Sequence, residues 1–170
     1  MDLLVYGFGG FEYAVAEIAI ENGYKNIEIF DDNEPQNLSI HNGVLNYLGK
    51  YDAALYAKVP LVIAIGNNQI RAKVAQKIKH KLSSIIHSSA IISSSATIEE
   101  GSIILQNVVI GANTIIKKNC SLNTLAVIDN DCELDYFIHV RPLAYIGSNS
   151  KISSFKVILP NIFVEKFSNI

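Results

Sequence analysis

The sequence predicts a protein of two domains, a small α/β domain followed by an all-β domain, and two observations predict that fold class. From residue 86 onward an aliphatic side chain recurs at every sixth position, which is the period of a hexapeptide-repeat parallel β-helix. Before residue 83, strand-like apolar runs alternate with loops and amphipathic helical segments, which is typical of a parallel α/β unit. We therefore expect domains over residues 1–82 and 83–170.

Each element of the N-terminal domain has its own signal in the sequence. The first strand is a short apolar run, and a glycine-rich loop separates it from a helix whose apolar residues share one face. A later strand closes at Gly66 and leads into a helix with apolar residues spaced by four. The predicted elements are strands over residues 3–6, 26–30 and 61–65 and helices over residues 11–21 and about 69–80.

The loop between the first strand and the first helix is a candidate phosphate site. Loops of this kind bring backbone amides and a helix N-terminus to an anion. Glu12 stands where the dinucleotide fingerprint has its third glycine, which disfavours a nicotinamide cofactor. Asp31 and Asp32 follow the second strand and can accept hydrogen bonds from a ribose or a base, although solvated turn residues are the alternative.

The β-helix prediction rests on the aliphatic ladder in the C-terminal half. Three six-residue units make one triangular turn, in which the ladder residues point inward and stacked turns pair as parallel strands. Small side chains recur four positions after most ladder residues, and Cys120 and Cys132 are two of them. We therefore expect both cysteines to pack in the core rather than to bind a metal. The ladder consists of Ile86, Ile92, Ile98, Ile104, Ile110, Ile116, Leu122, Ile128, Leu134, Val140, Ile146, Ile152, Ile158 and Val164.

Composition excludes several classes of partner. The net charge is −2, from 14 basic and 16 acidic residues that are well mixed along the chain, so we expect no binding to nucleic acid or to an anionic membrane. The apolar runs are too short to span a bilayer, and Met1 is followed by an acidic residue where a signal peptide is basic. These observations predict a cytoplasmic protein.

Five motifs, taken in order, carry a family resemblance: residues 5–10, 30–32, 64–71, 86–90 and 123–140. They resemble the bacterial sugar O- and N-acyltransferases, which include sialic-acid O-acetyltransferases and the N-acetyltransferases of nucleotide-linked amino sugars. The run from Ala64 to Asn68, followed by Arg71, is the most specific match. The resemblance implies a Rossmann-like domain that holds a nucleotide-linked sugar, a left-handed β-helix, a homotrimer, and an acetyl-CoA site between neighbouring prisms.

The resemblance also assigns residues to sites. The nucleotide pocket is expected to be lined by Gly7, Phe8, Gly9, Gly10, Asp31, Asp32, Gly66, Asn67 and Asn68. Coenzyme contacts are expected at Ala144 and Gly147, and the catalytic positions at Asn130, Asp131 and His139. No metal site is expected.

The catalytic positions depart from the family pattern. Active relatives place a histidine before an acid where this chain has Asn130 and Asp131, and an amide cannot take a proton near neutral pH. His139 is retained, either as a catalytic or coenzyme-orienting group or as a structural corner residue. Asp131 could replace the missing base only with a raised pKa. Leu143 stands where relatives have a glycine close to the coenzyme.

These departures set two hypotheses for the function. After Leu159-Pro160-Asn161 the family has a further coil and a segment that covers the coenzyme, and we expect this protein to lack both. An amine attacks a thioester in its neutral form, whereas a hydroxyl needs a base, so the loss of the histidine favours N-acetylation over O-acetylation in surface-glycan biosynthesis. The alternative is a catalytically impaired relative that binds a nucleotide sugar or serves as a scaffold.

Overall fold

The computed structural model of the chain describes residues 2–7, 9–33 and 45–170, without the side chain of Glu12. The N-terminal part is a four-stranded parallel sheet with one helix on each face. Its elements are β1 (Asp2–Tyr6), α1 (Phe11–Glu21), β2 (Asn26–Phe30), β3 (Leu45–Gly49), β4 (Leu61–Ile63) and α2 (Asn68–Lys77). The strand order is β3-β2-β1-β4, and every pairing is parallel.

The predicted elements of this part are present, with two differences. Strand β4 ends at Ile63 and helix α2 ends at Lys77, because the next residue, Ile78, already has an extended backbone. Strand β3 was not predicted. It is an edge strand with mostly half-exposed residues, so the sequence lacks the continuous apolar run that signals a buried parallel strand.

The C-terminal part is a parallel β-solenoid of fourteen two-residue strands, β5 to β18. We name its sheets face 1 (β5, β8, β11, β14, β17), face 2 (β6, β9, β12, β15, β18) and face 3 (β7, β10, β13, β16). Residues eighteen apart pair, as Ser121 does with His139, so three hexapeptides make one turn. In chain order the strands are Ile85–Ile86, Ile91–Ile92, Thr97–Ile98, Ile103–Ile104, Val109–Ile110, Ile115–Ile116, Ser121–Leu122, Val127–Ile128, Glu133–Leu134, His139–Val140, Tyr145–Ile146, Lys151–Ile152, Val157–Ile158 and Phe163–Val164.

The ladder predicted from the sequence forms the core of the solenoid. Each ladder residue is the second residue of its strand, and from Ile104 to Val164 all of them are buried. The three ladder residues of the first turn are half-buried and pack against the same cluster. Cys120 and Cys132 lie in this core as free thiols, and burial raises the pKa of the Cys120 thiol to about 12. The prediction that both cysteines pack in the core is confirmed.

The corners of the solenoid impose a left-handed backbone at every sixth residue. Eleven non-glycine residues from Asn107 to Phe167 have φ between 55° and 67°. Asparagine tolerates this conformation, but bulkier residues are strained there. Leu125, Leu143 and Phe137 are such residues, and Phe137 stacks on Phe155 of the next turn with ring centroids 5.4 Å apart.

The N-terminal sheet packs on face 1 through helix α1. The first residue of each solenoid strand points outward, and on face 1 the outward side chains of Ile85, Ile103 and His139 are buried. Ile85 and Ile103 belong to one cluster with residues of β1, β2 and α1. Burial of two isoleucines contributes about 3 to 6 kcal/mol, so the two halves form one continuous body.

Candidate functional site

A cavity of about 340 Å³ lies at the carboxyl ends of β1, β2 and β4, beside the start of α1. This edge of a parallel sheet is where open α/β folds bind their ligands. The described residues that line it are Tyr6, Gly7, Gly9, Phe11, Asp31, Asp32, Asn33, Ala64, Ile65, Gly66, Ile70 and Val74. It therefore brings together residues of all three predicted pocket motifs. Phe8 was also expected here and lies outside the described residues.

The turn after β1 requires glycine at one position. Gly7 has φ +107°, and a Cβ added there would lie 2.8 Å from Cγ1 of Ile65. Its amide donates to the carbonyl of Phe30 at 2.8 Å, which holds the loop against the end of β2. Gly9 differs, because its φ is ordinary and a Cβ there would meet no atom within 4 Å.

The acidic wall of the cavity is built by Asp31 and Asp32. Burial, followed by a hydrogen bond to Asp32 and the charges of both carboxylates, raises the pKa of Tyr6 to about 12. The Tyr6 phenol therefore stays protonated and donates to Asp32. Asp31 Oδ1 accepts from the amide of Asn33 at 2.7 Å. The carboxylate of Asp32 can accept more hydrogen bonds than the one from Tyr6.

A second cavity of about 260 Å³ adjoins the first, since the two share Tyr6, Asp32 and Val74. Its other walls are Lys50, Tyr51 and Lys77. Both lysines are exposed, and neither forms an ion pair with any residue in the described ranges. No signal in the sequence marked these lysines, because Lys50 follows an edge strand and Lys77 ends a helix.

The motif from Gly66 to Arg71 joins the cavity to the solenoid. Gly66 lines the cavity, but the side chains of the two asparagines predicted to line it are used elsewhere. Asn67 caps α2 by accepting from the amide of Ile70 at 3.0 Å. Asn68 Nδ2 donates to the carbonyls of Phe155 and Lys156 at 3.0 and 3.1 Å, so Asn68 binds a corner of the solenoid.

Arg71 is fully buried between the two halves. Its Nε donates to the carbonyl of Asn119 at 3.0 Å, its Nη1 to that of Ile65 at 2.8 Å, and its Nη2 to Asn68 Oδ1 at 2.8 Å. Burial lowers the pKa of the guanidinium to about 10, and it remains charged at neutral pH. The most specific motif of the sequence thus clamps the N-terminal part to the solenoid.

His139 connects the solenoid to the cavity wall. Its Nδ1 lies 2.9 Å from the carbonyl of Gly66, and its Nε2 lies 2.8 Å from Asn123 Nδ2. A carbonyl only accepts, so Nδ1 carries the proton and Nε2 accepts from Asn123. The side chain is 1% exposed, and burial lowers its pKa to about 4. Phe11 packs beside it at a ring-centroid distance of 6.0 Å.

Asn130 and Asp131 lie at a different edge of the prism, the corner between faces 2 and 3. Asn130 Oδ1 accepts from the amide of Ala112 at 2.7 Å, and Asp131 Oδ1 accepts from Asn113 Nδ2 at 3.0 Å. Both side chains are exposed and bridge neighbouring turns. The structure thus does not bring Asn130 and Asp131 together with His139 within one protomer.

The two expected coenzyme residues present little side chain to a ligand. Ala144 is buried at an inward corner position. At Gly147 an added Cβ would lie 2.7 Å from the backbone nitrogen of Lys166, so the next turn covers this glycine closely. Any contact of these residues with a ligand would run through their backbone.

The described residues hold neither a cluster of possible metal ligands nor a membrane-spanning helix. Among them, no group of three or more His, Cys, Asp or Glu side chains could hold a metal ion. Likewise, no helix in the described ranges is both long enough and apolar enough to cross a membrane.

Comparison with known proteins finds similarity in both halves. A family model described as the PglD N-terminal domain matches residues 2–78. The acetyltransferase domain of PglB from Neisseria gonorrhoeae FA1090 is 28% identical, with a TM-score of 0.77 over 99% of this chain and 87% of that chain. In complex with acetyl coenzyme A, the same domain is 27% identical, with a TM-score of 0.73 over 99% and 86%.

A third solved structure shares the fold. PerB from Caulobacter crescentus, in complex with CoA and GDP-perosamine, is 23% identical, with a TM-score of 0.72 over 99% of this chain and 85% of that chain. The resemblance to bacterial sugar acyltransferases that the sequence predicted is confirmed by these matches.

Proposed function

We propose that this chain is a cytoplasmic acetyl-CoA-dependent acyltransferase that acetylates the amine of a nucleotide-linked sugar in surface-glycan biosynthesis. One observation carries the proposal: the cavity at the sheet edge ends against the solenoid, where His139 holds the carbonyl of Gly66. A nucleotide bound in that cavity would direct its sugar towards the solenoid. We further infer that the four-stranded sheet is a Rossmann-like domain and that the solenoid is left-handed.

The similar structures support both substrates. The acetyltransferase domain of PglB was solved with acetyl coenzyme A, and PerB, which shares the fold, was solved with CoA and GDP-perosamine together. In this chain the loop from Gly7 to Gly10 and the first amides of α1 are the groups suited to the diphosphate. Asp31 and Asp32 are suited to the nucleoside, and Gly66 borders the path of the sugar.

The state of His139 favours an amine acceptor. A general base works best with a pKa near the working pH, and burial keeps the pKa of His139 near 4. Both of its ring nitrogens are already hydrogen-bonded. We therefore assign His139 the role of positioning the Gly66 wall. An amine that reaches the thioester in its neutral form can attack without a base, and it loses its extra proton after the C–N bond has formed and the thiolate has left.

The positions of Asn130 and His139 support a homotrimer. His139 lies on face 1, whereas Asn130 lies at the corner between faces 2 and 3, so a site that uses both must be completed by a second copy. Face 2 offers the apolar surface for such contacts: its outward residues are Ile91, Val109, Val127, Tyr145 and Phe163. Ile91 is 66% exposed and Phe163 is 60% exposed, which is unusual for a row of apolar residues without a partner.

The trimer is tested by a charge placed on face 2. We expect the wild-type chain to sediment as a trimer and Val127→Lys to sediment as a monomer. Thr97→Lys places the same charge at an outward position of face 3, where Glu133 and Lys151 already carry charges, and should leave the trimer intact. A monomeric wild-type chain would contradict this part of the proposal.

One observation favours the alternative of an impaired, non-enzymatic relative. Asn130 uses its side-chain oxygen to hold the amide of Ala112, so the residue at the expected base position serves the solenoid itself. Calorimetric titration with acetyl-CoA separates the two functions. The enzyme should bind acetyl-CoA at micromolar to millimolar concentration, whereas a scaffold should bind the nucleotide sugar and show no heat with acetyl-CoA.

A further inference from the structure

Arg71 is a fully buried charge without an acidic partner. No carboxylate in the described ranges forms an ion pair with it, and burial of an unpaired charge is costly unless hydrogen bonds satisfy it. Its Nη1 donates to the carbonyl of Ile65 at 2.8 Å and lies 3.4 Å from the carbonyl of Gly66. The guanidinium thus holds two successive carbonyls of the loop that borders the cavity.

The two peptide groups that follow these carbonyls have a fixed direction. A trans peptide bond places its N–H opposite its C=O, and none of the described peptide bonds is cis. The carbonyls of Ile65 and Gly66 point to Arg71, and that of Gly66 also accepts from His139. The amides of Gly66 and Asn67 therefore point away from Arg71 and His139. Neither amide has a hydrogen-bond acceptor among the described residues.

The charge of Arg71 makes these two amides better donors. A hydrogen bond from a cation to a carbonyl polarises the peptide group, which strengthens the N–H on its opposite side. Successive backbone N–H groups are a recurrent way of binding an anion. A buried guanidinium can therefore attract an anion in the cavity through two peptide groups, without touching it.

We propose that Arg71 is a positioning residue for the nucleotide sugar: it turns the amides of Gly66 and Asn67 towards the cavity, where they donate to the phosphate that carries the sugar. The ligand and its direction are those of the proposed function, on which this assignment rests. Gly66 borders the path of the sugar, so the phosphate next to the sugar is the one within reach of these amides. A purely structural clamp would instead affect folding alone.

The amide of Asn67 can be removed with little strain. Asn67 has φ −77°, which lies within the range that proline imposes, and the preceding Gly66 has no Cβ to clash with a proline ring. Asn67→Pro therefore deletes the N–H. The Asn67 side chain also caps α2, so Asn67→Ala is the matched reference, because it loses the same cap and keeps the amide.

The probes are nucleoside diphosphates and monophosphates, titrated calorimetrically into the full chain. GDP, UDP, TDP, ADP and CDP are compared first, and the tightest is carried forward with its monophosphate, which lacks the phosphate that carries the sugar. A hydrogen bond to a charged group is equivalent to about 10-fold or more in affinity. We expect Asn67→Pro to bind the diphosphate about 10-fold more weakly than Asn67→Ala does, and the monophosphate within about twofold.

Arg71→Lys and Arg71→Gln test the positioning itself. Lysine keeps the charge but lacks the planar fork, and glutamine has no charge and a single amide group. Circular dichroism establishes that each variant is folded at the assay temperature. Each should bind the diphosphate about 5- to 10-fold more weakly than wild type and the monophosphate within about twofold. A loss of stability alone would not distinguish the two nucleotides.

The outcomes separate this role from the proposed function. Equal binding of the diphosphate to Asn67→Pro and Asn67→Ala would overturn the role and leave the nucleotide pocket standing. An equal loss of both nucleotides in the Arg71 variants would reduce Arg71 to a structural clamp. Failure of all five diphosphates to bind wild type at millimolar concentration would refute the pocket and the role together. The expected losses without any acetyl transfer by wild type would support the role and contradict the acyltransferase activity.

Discussion

Replacement of His139 should change how the stability of the protein depends on pH. Burial lowers the pKa of His139 from its ordinary value of 6.5 to about 4, so the unfolded chain binds a proton more readily than the folded chain. The stability linked to this histidine is present above pH 6.5 and is lost as the pH falls towards 4. A shift of about 2.5 pH units at 1.36 kcal/mol per unit corresponds to about 3 kcal/mol.

The perturbation is His139→Gln, and the assay is urea unfolding of wild type and variant at pH 7 and at pH 4.5. At pH 7 the variant should be the less stable, because it weakens the contacts with Gly66 and Asn123. On moving to pH 4.5, wild type should lose about 2 to 3 kcal/mol more than the variant does, since the other titrating groups are common to both. An equal loss in both proteins would refute the neutral, buried state of His139 and the positioning role built on it.

Three further substitutions test separate parts of the site. Gly7→Ala should lower the free energy of unfolding by about 1 to 3 kcal/mol, because it combines φ +107° with a 2.8 Å contact to Ile65, whereas Gly9→Ala should cost little; equal losses in thermal unfolding would contradict the required turn. Arg71→Lys should destabilise the protein by about 3 kcal/mol in urea unfolding, since one ammonium cannot reach all the acceptors that the guanidinium holds; a change below about 0.5 kcal/mol would mean that the clamp is dispensable. Asn130→His should raise kcat/KM for acetyl transfer by about 10²-fold, and an unchanged rate would show that this corner does not face the reacting groups.

The sequence predicted the solenoid better than any other part because its signal is local. A ladder residue must be aliphatic wherever it points into the prism, so the six-residue period alone located the core from Ile104 to Val164. The corner geometry was less visible. Asn113 and Asn149 indicate a left-handed backbone, but Leu125 and Leu143 adopt the same φ without any sequence signal, because stacked turns impose it on them.

The sequence predicted the parts of the site that follow directly from the local structure around each residue. The loop at Gly7 and the acids at the end of β2 meet in one cavity because both follow parallel strands. Asn68 and Arg71 also bind carbonyls of the solenoid, as far as 88 residues away along the chain. No local sequence pattern predicts a hydrogen bond between residues so far apart in the chain. For the same reason the sequence could not decide between a catalytic and a structural His139, since the answer depends on Gly66 and Asn123.

The most direct test of the central claim is acetyl transfer by the purified protein, with acetyl-CoA as donor and two acceptors that share one nucleotide. One acceptor carries an amine on its sugar, and the other carries a hydroxyl at the same position. We expect acetylation of the amine only, at a rate that rises about tenfold per pH unit while the amine is mostly protonated, because no enzyme base with a pKa near neutrality assists. Acetylation of the hydroxyl at an equal or greater rate would contradict the account, as would the absence of transfer to either acceptor.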